Sequence, residues 1–181
     1  MFNVVQTKIS GCFEIQLKKI EDLRGSFTKT FHAHIFRELN LDMKFTEEFF
    51  IYSHKNVFRG MHFQNPPTAT YKLVYCVHGE VTDYIVDLRV GSPTYGQYVS
   101  FELNAKSPKS IFLDKGLAHG YMVKSDFAIM QYKSSEVFDP ATDGAIDYRS
   151  FDFAKDIVNP ILSEKDIKAV SFEDFKNDFK F

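Results

Sequence analysis

The chain has 181 residues, with 22 Lys and Arg against 24 Asp and Glu and a formal net charge of -2. Charges of both signs are mixed along its length, which excludes the basic footprint of a nucleic-acid binder or of a protein held by charge to an anionic membrane. This length suffices for a single domain, 1–181, with a continuous core, and two cysteines are too few for a secreted disulfide framework. Cys12 and Cys76 sit in apolar, strand-like text ("GCFEI", "LVYCV") and read as buried free thiols, which points to a reducing cytoplasm. The start "MFNVVQTKISG" lacks a basic region followed by a sustained apolar run, and no apolar stretch approaches ~18 residues, so neither export nor membrane insertion is expected. Twenty Phe and nine Tyr with no Trp, in alternating text, favour sheet over helix.

In chain order, "GCFEIQLKKIEDLRGSFTKTF" opens with alternating apolar residues, breaks between Asp22 and Gly25 and resumes at Phe27, as two strands or a strand and an ordered loop would. "HAHIFRELNLDMKF" is the internal helix candidate, with Ile35, Phe36 and Leu39 at helical spacing. From Phe49 to Tyr132 short strands are punctuated by "NPP", "HGE", "VGSPTYG", "NAKSPKS" and "DKGLAHG", the spacing of an antiparallel sandwich or barrel. The tail "ILSEKDIKAVSFEDFKNDFKF" holds a Ser-x-x-Asp run and then Phe172, Phe175 and Phe179 at helical spacing, which predicts short helices packed on the exterior.

Alternation in "YKLVYCVHGEV" puts Lys72, Val74, Cys76 and His78 on one face and Leu73, Tyr75 and Val77 on the other. In "VTDYIVDLRV", Asp83, Ile85 and Asp87 share a face, and an inward Asp beside an inward Lys would satisfy both charges. His62, between "RGM" and "FQNPP", lies at a strand end facing a turn; a lone histidine there is either structural or catalytic. His119 lies between Gly116 and Gly120, which imply tight backbone around the ring. A Zn or Fe site needs three or four converging ligands, and His62 has no second histidine in its strand, so no metal is expected.

Together the segments "DLRGSF", "FRGMHFQNPP", "YKLVYCVHGEVTDYIVDLRVGSPTYG", "DKGLAHGYMV", "MQYKSSEVFDP" and "NPILSEKD" resemble the dTDP-4-dehydrorhamnose 3,5-epimerase family, in the family's order and over most of the chain. The resemblance implies an all-β, cupin-like antiparallel jelly-roll barrel with a few short peripheral helices, a homodimer, a nucleotide-diphosphate sugar as substrate and no cofactor. It implies that His62 is the catalytic base paired with Asp166, that Tyr132 is the proton donor on the other side of the sugar ring, and that Lys72 stands beside the sugar carbonyl. Arg59 matches the arginine near the diphosphate, and His119 and Asp83 match positions lining the pocket. Arg24 and Phe27 match a segment that in this family crosses a dimer interface to the nucleotide.

The chemistry suits these residue types. Inverting a carbon beside a ketone means removing its proton, holding charge on the carbonyl oxygen and reprotonating from the opposite face. Histidine titrates near working pH, and a carboxylate behind it fixes its tautomer. A lysine aimed at the developing oxyanion lowers the barrier by several kcal/mol in a dry site. Three departures from the family pattern bear on specificity. Lys29 stands where most members have glutamate, "EEFFIYSHKN" lacks the Gln-x-Asn of the nucleotide end, and Phe138 replaces a second active-site tyrosine. The wording "FIYSHKNVFRG" and "YKLVYC" resembles the branch acting on GDP-4-keto-heptoses in bacterial capsule synthesis. A 3,4-ketoisomerase, a non-catalytic sugar-binding cupin and a metal-dependent cupin oxygenase are the alternatives on the same fold.

Overall fold

The computed structural model describes residues 3–41, 44–176 and 178–181. The elements are β1 (Asn3–Gln6), β2 (Cys12–Gln16), β3 (Lys19–Asp22), β4 (Gly25–Thr28), α1 (Ala33–Glu38), β5 (Glu47–His54), β6 (Phe58–Gln64) and β7 (Lys72–His78). They continue with β8 (Glu80–Asp87), β9 (Tyr98–Asn104), β10 (Lys109–Leu113), β11 (Leu117–Val123), β12 (Phe127–Ser134), β13 (Asp143–Ala145) and α2 (Glu164–Ile167). Two antiparallel sheets carry the fold: six strands in the order β1-β2-β10-β7-β12-β5, and five in the order β13-β6-β11-β8-β9. β3 and β4 form a separate hairpin.

The alternation seen in the sequence sorts the side chains into three layers. Val74, Cys76, Ile111, Met130 and Tyr132 of the larger sheet meet Val81, Ile85, Leu103, Tyr121 and Val123 of the smaller one between the sheets. The residues between them in sequence point outward. Tyr84, Val86, Ala118 and Met122 back the smaller sheet and are covered by Tyr148, Phe151, Phe153 and Phe179 from the C-terminal segment. Leu73 and Phe112 back the larger sheet under Phe36 of α1. Each large side chain so buried contributes about 1.5–3 kcal/mol. Both thiols are free and buried, as expected, and burial pushes each up to about 12.

Four expectations change. The face of β7 that begins with Lys72 does not run on to His78: Cys76 lies opposite Met130 but His78 opposite Ile129, so Val77 is an extra residue that turns His78 outward onto Phe127. The internal helix is only Ala33–Glu38, with Leu39 as its C-cap, and 42–43 lie outside the described residues. Among the described residues the Phe-rich tail forms no helix after Ile167: its rings are spaced to pack on the smaller sheet, while Val170 and Lys180 bridge to Ile146 and Val90. Asp83 pairs with His119 and not with Lys72. Among the described residues, no helix is long and apolar enough to cross a membrane.

Candidate active site

A bulge in β6 makes the site. Residues three apart on a regular strand point to opposite faces, yet Arg59 and His62 both face the space between the sheets. His62 lies opposite His119 on β11 and Arg59 opposite Tyr121, so three steps of β6 match two of β11. Gly60 absorbs the extra residue at φ +136°, and a Cβ there would sit 2.5 Å from the Cα of Gly120. Only glycine fits both the backbone and the space.

A cavity of about 310 Å³ opens between the sheets, lined by Arg59, His62, His119 and Tyr121 from the smaller sheet and by Phe49, Ile51, Lys72 and Tyr132 from the larger. Phe138, Asp143 and Lys165 complete its wall. His62 Nε2 lies 2.6 Å from Asp166 Oδ1, the histidine about one-third exposed and the carboxylate buried. The Ser-x-x-Asp run places that carboxylate. Ser163 caps α2 by accepting a hydrogen bond from the Asp166 amide (3.2 Å), and its hydroxyl donates to Asp166 Oδ2 (2.8 Å). Burial alone would raise the Asp166 carboxyl, but the hydrogen bond and charge of His62, with Ser163, hold it below the usual carboxylate range.

His119 forms a second such pair, Nε2 to Asp83 Oδ1 at 2.6 Å, buried, with Asp83 Oδ2 receiving no hydrogen bond from the described residues. Here burial wins and the Asp83 carboxyl is raised despite His119. Tyr132 stacks on Phe49 (4.9 Å, 7°) and meets the edge of His119 (5.6 Å). Burial raises its hydroxyl well above 10, so it keeps its proton. Lys72 has no hydrogen bond or ion pair among the described residues, and burial pulls its ammonium down to about 8. Arg59 Nε donates to Ser53 Oγ (3.0 Å), which is 2.9 Å from the Tyr121 hydroxyl.

Of the residues singled out in the sequence, the fold gathers His62, Asp166, Tyr132, Lys72, Arg59, His119, Asp83 and Phe138 at this cavity, with Asp166 and Asp83 behind the two histidines. Arg24, Phe27 and Lys29 do not line it. Arg24 is paired with Asp22 at the tip of the β3–β4 hairpin, and Phe27 and Lys29 are exposed. Phe49, Ser53, Tyr121, Asp143 and Lys165 were not anticipated. Lys165 adjoins Asp166 in "SEKD" and could have been noticed; it forms an ion pair with Asp143 at the rim. The other four carry no motif and are placed by strand pairing alone. Among the described residues, no three His, Cys, Asp or Glu side chains group to hold a metal.

The family model described as dTDP-4-dehydrorhamnose 3,5-epimerase matches residues 6–174. The chain belongs to that family. The epimerase is 35% identical to the dTDP-4-dehydrorhamnose 3,5-epimerase of Shigella flexneri over 175 residues, 95% of this chain and 97% of the relative. It is 36% identical to the dTDP-4-dehydrorhamnose 3-epimerase of Streptomyces niveus over 165 residues, 90% and 80% of the two chains. Among solved structures, the dTDP-6-deoxy-D-glucose-3,5-epimerase of Legionella pneumophila, in complex with dTDP-4-keto-L-rhamnose, superposes with a TM-score of 0.91 at 32% identity, covering 97% of this chain and 95% of that one. The protein is therefore a nucleotide-sugar epimerase on a cupin-like jelly roll, the fold and activity that the six segments suggested.

Proposed function

We propose that the epimerase inverts one or both carbons flanking the ketone of a nucleotide-diphosphate 4-keto sugar by proton removal from one wall of the cavity and proton return from the other. The observation that carries this reading is the origin of the two groups: His62, backed by Asp166 of α2, comes from the smaller sheet, Tyr132 comes from the larger one, and both His62 and Tyr132 reach one cavity. His62 takes the proton from C3 or C5, and Asp166, kept ionised, stabilises the imidazolium that forms. Lys72, an ammonium without a hydrogen bond or ion pair among the described residues, neutralises the enolate oxygen. Tyr132, still protonated at neutral pH, supplies the returning proton. The substrate's own ketone is the electron sink, so the scheme needs no cofactor. His119 with Asp83 forms the floor beside the base, and Arg59, braced by Ser53, faces the diphosphate.

The nucleotide end is completed by a second copy of the chain. The β3–β4 hairpin leaves the apolar side chains of Ile20, Leu23 and Phe27 half to fully exposed. In a homodimer they would be buried, and the hairpin would carry Arg24, Phe27 and Lys29 to the partner's nucleotide. Sedimentation at micromolar concentration should give a dimer; a monomer contradicts the assembly. With Lys29 in place of an acid and Ile51 and Ser53 on the inner face of β5, both a dTDP-4-keto-6-deoxyhexose and a GDP-4-keto-heptose belong in the substrate panel. In either case the product feeds surface-polysaccharide synthesis in the cytoplasm. Heavy-water NMR with each substrate tests the reading: deuterium should enter C3, C5 or both with wild type, and not with His62→Ala. Inversion at a single carbon is the second reading, favoured by the missing hydroxyl at Phe138 and the similarity to a 3-epimerase.

A further inference from the structure

Phe138 faces the cavity from the segment 135–142, about 57% exposed, and lines both the catalytic cavity and an adjoining one of about 300 Å³ bounded by Glu47, Thr70 and Ser134. Phe49, Lys72 and Asp143 also line both, so the ring stands where the two cavities meet, yet among the described residues no ring contact holds it. What holds it is backbone bonding on either side, and both bonds end on one side chain. Gln64 Oε1 accepts the Asp139 amide (2.9 Å), and Gln64 Nε2 donates to the Val137 carbonyl (3.4 Å) and to the Thr68 carbonyl (2.9 Å). Gln64 is 7% exposed and stands two residues after His62 on β6. Asn65 adds two bonds to the Thr142 carbonyl, and the Thr68 and Thr142 hydroxyls pair, so the far end of the segment is fixed to the turn that follows β6.

We infer that Gln64 is a positioning residue: its amide clamps residues 137 and 139 so that the Phe138 ring stays fixed as a wall of the sugar slot beside His62. The chemistry requires an amide. The clamp must accept a hydrogen bond from one peptide group and donate to another one residue away, which an uncharged carboxamide does within one plane. An ionised glutamate would face two carbonyls without a proton to give, and methionine would keep the shape with neither function. Because base and clamp ride on one strand, the gap between His62 and the Phe138 ring is set within β6. The inference rests on the reading that the sugar ring occupies this cavity; it adds what fixes the slot's width.

The chain contains no tryptophan, so Phe138→Trp introduces a single indole at the wall, which red-edge excitation reads selectively over the nine tyrosines. Time-resolved anisotropy should show an indole moving with the whole protein when Gln64 is present. A large sub-nanosecond component should appear in Phe138→Trp combined with Gln64→Met or with Gln64→Glu, whichever folds better by circular dichroism. With dTDP-4-keto-6-deoxyglucose, Gln64→Met should raise KM at least tenfold with kcat within threefold, and add less than twofold to KM in a Phe138→Ala background. An indole equally rigid with and without Gln64, or a KM effect equal in both backgrounds, overturns the clamp and makes Gln64 a general fold residue. A Phe138→Ala protein with wild-type KM would instead refute the placement of the sugar, leaving the clamp to be judged by the anisotropy.

Discussion

Two histidine–carboxylate pairs stand side by side on neighbouring strands, His62–Asp166 and His119–Asp83, each with a separation of 2.6 Å. Their environments drive the carboxyl groups in opposite directions. Asp166 has both oxygens bonded and a histidine that reaches the cavity, so its charge is held. Asp83 is fully buried with one oxygen bare, so burial raises it. An identical distance therefore does not imply an identical role. A base must be able to gain and hand on a proton, which needs a stabilised counter-charge and access; the His62 pair has both. The His119 pair lines the same cavity but is almost wholly buried and its carboxylate is half satisfied, which fits the floor proposed for it better than a base.

Breaking each pair should separate them by activity. His62→Ala removes the proposed base and should lower turnover by about 10²–10⁴-fold, whereas His119→Asn should cost at least tenfold less, measured as kcat on the same substrate. Equal losses would erase the distinction. Lys72→Met comes next, with a loss of about 10²–10³-fold and a gain in stability of about 1–3 kcal/mol, since a desolvated ammonium is removed. The sign follows from the lysine's lowered value: the folded protein bears the full cost below about 8, and the cost fades as pH rises toward the unfolded 10.5. By the same titration wild-type turnover should fall above about pH 8, and a chemical-denaturation series for Lys72→Met beside wild type should show the gain shrinking over that range.

The carboxylates sharpen the contrast at smaller scale. Asp166→Asn should lower kcat by about 10–100-fold, as loss of an orienting partner does, while Asp83→Asn should stay within tenfold. Their acid responses should also differ in sign. Asp166 lies below its unfolded 3.8, so its contribution is present above that value and is lost as pH falls through the folded one. Asp83 lies above 3.8, so its ionisation costs stability as pH rises through its folded value. Acid melts of the two Asn variants should diverge in these directions. Ser163→Ala, which removes both the cap and one bond to Asp166, should cost about 1 kcal/mol of stability and only a few-fold in kcat.

The sequence made the layers legible because alternation in β7 and β8 is regular enough to sort Val74 from Leu73 and Ile85 from Tyr84. It made His62, Lys72, Tyr132 and Asp166 legible through short motifs. The bulges were not visible, since one added residue at Gly60 or Val77 changes facing without changing composition. The tail misled because rings three and four apart fit a helix and, equally, an irregular segment laid across a sheet. Asp143 and Gln64 depend on pairing between β6 and β13, distant in sequence, and no local pattern announces it.

The two-walled site is tested most directly by Tyr132→Phe in heavy water, with deuterium incorporation and configuration at C3 and C5 followed together by NMR. His62 remains, so the flanking carbon should still exchange its proton for solvent deuterium from the histidine side. Return from the opposite wall is lost, so the label should appear with the original configuration and inversion should fall by at least tenfold. Inversion at the wild-type rate, or loss of exchange along with inversion, would contradict the account.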